Sequence, residues 1–419
     1  MKLYSACPTK YNASNWYRTI MPWRTATRMK IADPIIDQFD MKIENELERR
    51  AQATMYADIV QHYQSYADSF VTSRDIARGF PSYWETADKW NVGPSFVYDT
   101  DDDLFRVEPL NPAFKYLGVQ VEDRPLQDGD AVSVVGEDGK AKTLFEDGKN
   151  DFSIAANRER LAGIRRNMAA ADLVTCTTEG SAAYVRRETG HENIHIFPNC
   201  IDLGDWPKVR IAEDDKVRIL WQSSSCHFED IWPLRKVLGK IQRKYENVEL
   251  ILFGSPYEWL VQELVPERTT VMRWVEYNQY ILYMSMFGHD INIAPLHDSE
   301  FNRSRSCIRM YESAATWKPA ATLAENTGPY KAEIIEGETG MLFNSVEEFE
   351  TKLCALIEDA TLRKTIAANA KDWVRTNRSP YVHVPKLLEA YQALRDGRKA
   401  VATPPEPLEN EIVETKTSD

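Results

Sequence analysis

Short apolar runs rich in β-branched and aromatic residues alternate along this chain with longer amphipathic stretches. Two such series follow one another. The first predicts strands at Lys2–Ser5, Phe70–Thr72, Phe96–Asp99, Leu173–Thr177 and Ile194–Phe197. The second predicts strands at Val217–Trp221, Val248–Phe253, Thr270–Trp274, Ile291–Pro295 and Pro319–Leu323. Helical periodicity lies between them, at Ile43–Tyr63, Arg158–Ala170 and Pro233–Tyr245. Strands that are apolar on both faces belong to parallel sheets covered by helices on each side. The alternation therefore predicts an α/β protein with two Rossmann-like, doubly wound domains. A length of 419 residues accommodates both.

The boundary falls in the polar, proline-bearing stretch Asp205–Lys216. The expected organisation is a first domain over 1–207, a second over 208–375, a C-terminal helix over 376–399 read from Tyr381–Leu394, and a disordered acidic tail over 400–419. Within the first domain, residues 108–150 carry an insertion whose sequence reads as a β-hairpin about Glu137-Asp138-Gly139.

Charge narrows the function. Lys and Arg number 51 against 64 Asp and Glu, a net −13, which excludes a general coating for nucleic acid. The first 32 residues run the other way. They hold Lys2, Lys10, Arg18, Arg24, Arg28 and Lys30 with no acid, interleaved with Trp16, Tyr17 and Trp23. Such a mixture is either a face for a phosphate-bearing or base-bearing acceptor or a solvated loop with core aromatics. No apolar run is long enough to span a membrane, and the first residues lack the apolar core of a secretory signal, so the expected location is cytoplasmic. The six cysteines are scattered and read as reduced thiols. The seven histidines show no metal-binding spacing, so no bound metal is expected.

Three segments carry the chemistry. In RILWQSSSCHFEDIWPL a strand runs into Ser223, Ser224 and Ser225 before a helix. That arrangement suits a phosphate, or else Ser225 or Asp230 simply caps the helix. In FNRSRSCIRMYESAATWKP a helix is predicted over Ser304–Thr316. Its Arg305, Arg309 and Glu312 share one face, two cations for a diphosphate and a carboxylate for a ribose diol, or else Arg309 and Glu312 make a surface ion pair. In Asp99-Thr100-Asp101-Asp102-Asp103, carboxylates cluster after a strand. One of them acts as general base toward an acceptor hydroxyl, or the group caps a helix or pairs with arginines.

These motifs, in this order, resemble the GT-B glycosyltransferases of the large group 1 family, typically retaining, in their bacterial and phage forms. LWQSSSCHFEDI is similar to that family's first loop of the C-terminal domain, FNRSRSCIRMYESAATWKPAAT to its basic-then-Glu helix, and GPYKAEIIEGETGMLF to the turn that follows. FVYDTDDDLF, ADLVTCTTEGSAAYV and IHIFPNCID resemble the N-terminal domain's strands and turns.

The resemblance implies transfer of a sugar from a nucleoside-diphosphate sugar, most naturally a UDP-sugar, to a hydroxyl, with no permanently bound cofactor. It implies that Glu312 binds the ribose and that Arg305 and Arg309 face the diphosphate beside Ser304 and Ser306. Ser223, Ser224 and Ser225 would line the phosphate loop with His227 next to them. Val275 and Tyr277 would hold the base, and Arg18 would face the donor from the first domain. Asp101, Asp102 and Arg309 are the expected catalytic residues. The sequence departs from the family pattern in two places. Ser304 stands where a second acid usually precedes Glu312, and Ala13-Ser14-Asn15 replaces the usual glycine pair. The acceptors considered are a hydroxylated base in phage DNA and a cell-surface polysaccharide or lipid-linked sugar. A non-catalytic binding protein of the same fold is the reading of another class.

Overall fold

The computed structural model describes residues 3–8, 13–39, 59–63, 95–136 and 139–397. Two six-stranded sheets organise them, with parallel pairing throughout. The first runs Ile194–Ile196, Leu173–Cys176, Ser95–Thr100, Ile59–Tyr63, Leu3–Pro8, Ile35–Phe39 in space. The second runs Thr269–Arg273, Val248–Gly254, Val217–Ser223, Ile291–Ala294, Ala321–Glu325, Met341–Phe343. The second order is that of a dinucleotide-binding sheet, and strand order reverses between Val217–Ser223 and Ile291–Ala294. The crevice beyond the carboxyl ends of those two strands is where ligands of such sheets bind.

Burial explains why the strand runs are legible. Leu173–Cys176 and Ile291–Ala294 are buried at every residue, as helices on both faces require. The covering helices carry ordinary start signals: Ser153 accepts from Ala156 N at the head of Ile154–Ala170, and Thr178 with Ser181 makes a capping box at Glu179–Thr189. Two apolar clusters belong to one sheet each. A third joins the halves, with Trp23, Phe197, Leu220, Phe253, Met310 and Tyr391 among its members. Helix Pro380–Arg395 contributes Tyr391 to it, 5.9 Å from the Trp23 ring.

Several expectations change. Ile59–Tyr63 is a strand, not the end of a helix over Ile43–Tyr63; Ile59 and Gln61 are both buried, the period-two signature of a strand. Ile35–Phe39, an edge strand pairing only with Leu3–Pro8, was not expected, because Asp37 and Gln38 break its apolar run. The rest of Ile43–Tyr63, the run Phe70–Thr72 and the tail 400–419 lie outside the described residues. Strands Ala131–Val135 and Ala141–Glu146 pair antiparallel within the inserted region.

The predicted helix Ser304–Thr316 starts only at Ile308 and runs to Ala315, and a separate short helix, Glu300–Arg303, precedes it, so Arg305 sits in the turn between the two and not on a shared helical face with Arg309. Neither Ser225 nor Asp230 caps the helix at Phe228–Ile231. His227 occupies that position, and the Asp230 carboxylate is taken by histidines.

The basic N-terminal segment is not an open cationic face. Arg18 is fully buried against Asp99, Arg28 pairs with Asp202 at 2.6 Å and Asp205 at 2.8 Å, and Arg24 lies 3.7 Å from Asp205 and over the Trp16 ring. Acids that are remote in sequence pair with these three arginines, while Lys30 is exposed. Lys2 and Lys10 lie outside the described residues.

Candidate active site

A cavity of about 360 Å³ opens at the strand-order reversal of the second sheet and is closed on its far side by the first half of the chain. Its floor is built from strand ends. Val217–Ser223 delivers Gln222 and Ser223, and the turn Ser224–His227 continues the wall. Val248–Gly254 delivers Phe253 and Gly254. Gly254 has φ +116°, and a Cβ there would meet Ser223 O at 2.1 Å, so only glycine lets these two strand ends close together. Trp274, Val275, Tyr277 and Tyr280 form one side. Arg305, Ile308, Arg309 and Glu312 form the other, and Ala13, Ser14, Asp102 and the turn Asn111–Ala113 face them from the first half.

One end of the cavity is strongly positive. Arg309 is buried at 7% exposure. Its Nη1 lies 3.4 Å from Pro295 O, while its Nη2 is buried with no acceptor among the described residues. A buried guanidinium nitrogen without an acceptor is costly, and an anion in the cavity is the partner that would satisfy it. Arg305 approaches His227 Nε2 at 3.3 Å and Asp102 at 3.5 Å. Burial alone would raise the Cys226 thiol, but His227, Arg305 and the neighbouring hydrogen bonds outweigh it and bring the group down to about 6. That shift reports the same positive field from a third position.

Glu312, one helical turn from Arg309, also lines the cavity and is 4% exposed. Tyr17 OH donates to its Oε1 at 2.8 Å and Tyr280 OH to its Oε2 at 2.7 Å, while Tyr277 OH donates to Tyr17 OH at 2.7 Å. Burial raises Glu312 to about 7, against the hydrogen bonds of Tyr280 and Tyr17 and the charge of Arg309, which favour the carboxylate. No ion pair joins Glu312 to Arg309 among the described residues; the tyrosines take that place. Tyr280 carried no sequence signal as a site residue and Tyr17 only as one aromatic of the basic N-terminal segment, because each reaches Glu312 only through the fold. Trp16 stacks on Tyr277 with ring centroids 4.8 Å apart.

Of the residues singled out from sequence, Ser223, Ser224, Ser225, His227, Val275, Tyr277, Arg305, Arg309, Glu312 and Asp102 line the cavity. Four do not. Arg18 is sealed beneath the first sheet, held by both Asp99 oxygens at 2.9 and 2.7 Å and by Phe197 O, with no surface left to meet a donor. Ser304 accepts from Asp103 N and donates to Phe301 O, and Ser306 accepts from Asn199 Nδ2; both hydroxyls join parts of the fold. Asp101 is half-buried and not among the cavity-lining residues, and burial with the Asp102 charge raises it to about 7. Glu108, Glu229 and His297 offer ligand atoms within 4.8 Å of one another, but Glu108 and Asp230 already engage both His297 nitrogens.

Solved structures share this fold. Sucrose-phosphate synthase of Thermosynechococcus elongatus superposes with a TM-score of 0.60 over 95% of this chain and 100% of that one, at 12% identity. HepE of Anabaena, in complex with UDP-glucose, does so with a TM-score of 0.57 over 94% and 100%, at 12% identity. The fold is GT-B. No family model matches the chain. Trehalose synthase of Pyrococcus horikoshii is 23% identical over 241 residues, 50% of this chain and 55% of that protein; the one from Pyrococcus furiosus is 21% identical over 236 residues, 49% and 54%. The chain thus matches about half the length of these relatives. Within this GT-B frame the cavity lies between the two halves, and no described helix is long and apolar enough to cross a membrane.

Proposed function

We propose that the chain is a glycosyltransferase that moves a sugar from a UDP-sugar to a hydroxyl of an uncharged saccharide. The observation that carries this reading is Arg309 Nη2, buried without an acceptor beside Arg305 at the carboxyl ends of the central strands. It marks the place where the donor's diphosphate would sit, with the hydroxyls of Ser223, Ser224 and Ser225 around it. Charge held there by fixed guanidinium groups stabilises the departing diphosphate more than the intact donor, and so lowers the barrier. Glu312 would accept hydrogen bonds from the ribose diol, and Val275 and Tyr277 would frame the base. That HepE was solved with UDP-glucose supports uridine as the base.

The acceptor side faces the cavity with Asp102, Ser14 and Asn111. Only Asp102 of the clustered acids lines the cavity, so the activation of an acceptor hydroxyl falls to it. Carboxylates on this wall repel a polyanion. With Arg18, Arg24 and Arg28 paired to acids, we favour a saccharide over phage DNA as acceptor. The names of the relatives, trehalose synthase and sucrose-phosphate synthase, point the same way, to saccharides. The test is release of UDP from UDP-glucose and related donors in the presence of mono- and disaccharides, with hydroxymethylated duplex DNA alongside. Saccharide-dependent release is expected. Release dependent on DNA alone, or UDP binding without transfer to any acceptor, would overturn the reading in favour of DNA or of a non-catalytic binding protein.

A further inference from the structure

Five polar contacts form a continuous series whose first and last members cross the cleft. Glu108, from the first half, holds His297 Nε2 at 2.9 Å, and His297 Nδ1 holds Asp230 Oδ1 at 2.6 Å. The other Asp230 oxygen takes His227 Nδ1 at 2.5 Å; His227 Nε2 then meets Arg305 at 3.3 Å, and Arg305 returns to Asp102 of the first half at 3.5 Å. Only the last links of this series, His227, Arg305 and Asp102, line the cavity.

We infer that Glu108, His297 and Asp230 are positioning residues that set His227 and Arg305 at the anion end of the donor cavity. The inference rests on the donor-site reading above and adds three residues that touch no substrate.

Asp230 is the hub. It is 3% exposed, and its Oδ1 also accepts from His297 N at 2.9 Å and Asn302 Nδ2 at 3.2 Å. A carboxylate so saturated is fixed in orientation, and it fixes the ring of His227 in turn, leaving Nε2 aimed at Arg305. His297 acts as the strut. Burial would lower its affinity for a proton, but its hydrogen bonds to Asp230 and Glu108 raise it to about 10, so both ring nitrogens donate at neutral pH. Glu108 is also held by Ser299 OH at 3.2 Å. Glu108 thus lets the first half of the chain set the geometry of an arginine that belongs to the second. A cleft that opened would break the series at Glu108 and at Asp102 together.

The test is a double-mutant cycle read by UDP titration calorimetry on the full chain. Glu108→Ala is expected to weaken UDP about tenfold, the loss typical of a displaced charged hydrogen bond, and Glu108→Gln, which keeps an acceptor oxygen, to restore most of it. Arg305→Ala is expected to cost more, and adding Glu108→Ala to it to cost much less than tenfold, because most of the path to the anion runs through Arg305. Should Glu108→Ala not fold, His297→Asn enters the same cycle with the same expectation. An unchanged affinity in Glu108→Ala overturns the inference, as does an equal tenfold loss on the Arg305→Ala background. A wild-type chain that binds no UDP brings down the donor-site reading itself, and the relay with it.

Discussion

Two buried arginines separate the halves of this molecule. Arg18, beneath the first sheet, is saturated: both Asp99 oxygens, Phe197 O and Asn199 Oδ1 surround it, and the Phe197 ring lies 5.0 Å away. Arg309, in the second half, is almost as buried, yet it reaches one carbonyl at 3.4 Å and leaves Nη2 with no acceptor among the described residues. The same residue type at similar burial serves opposite ends. What distinguishes them is unfilled hydrogen-bonding capacity, not burial or charge. A satisfied guanidinium holds a fold together, whereas an unsatisfied one at a strand-end cavity waits for an anion.

The comparison can be broken most forcefully at Arg18. Arg18→Ala would leave Asp99 charged and buried without its partner, and a loss of about 3–5 kcal/mol in denaturant unfolding is expected. A variant that kept its stability but lost UDP would move Arg18 back into the site.

Glu312 gives a smaller effect with a definite sign. Its proton is held to about pH 7 in the folded chain, above the ordinary carboxyl value, so the stability due to that proton is full at acid pH and is lost as pH rises through 7. Binding of a ribose diol needs the ionised form. Affinity for UDP-glucose, which has no terminal phosphate to titrate, is therefore expected to rise severalfold between about pH 6 and about pH 8. Asp101, Asp103 and Cys226 are shifted toward the same window, Cys226 with the opposite effect on an anion, so the rise is read as the difference between wild type and Glu312→Gln. Parallel pH profiles in the two would remove Glu312 from the donor site.

The smallest effect belongs to Arg28. It is 40% exposed, its pair with Asp205 is open to solvent, and buried Asp202 keeps the Tyr381 OH as a second donor. Arg28→Ala is expected to cost less than about 1 kcal/mol in thermal or denaturant unfolding, and less again at high salt. A much larger loss would make the N-terminal pairs part of the core that joins the halves.

The same comparison shows what a sequence can and cannot disclose. Strands such as Leu173–Cys176 and Val217–Ser223 were legible because burial on two faces leaves an unbroken apolar run. Ile35–Phe39 was not, because an edge strand tolerates Asp37 and Gln38. Arg309 and Glu312 were legible as site residues from their spacing after a strand. Arg18 looked equally promising, since its saturation depends on Asp99, 81 residues away. Tyr17 is separated from Glu312 by 295 residues and His297 from Glu108 by 189, so neither pair leaves a local pattern. The turn at Ser304–Cys307 was also hidden, because contacts from the first half to Ser304 and Ser306 hold those residues out of the helix.

The most direct measurement is UDP affinity in wild type and Arg309→Ala, taken with the unfolding midpoint of each. The account predicts a loss of about tenfold to a hundredfold in affinity, the range for one hydrogen bond to a charged group, with stability unchanged or slightly raised. An Arg309→Ala chain that bound UDP as tightly as wild type, or that lost stability as Arg18→Ala does, would contradict it.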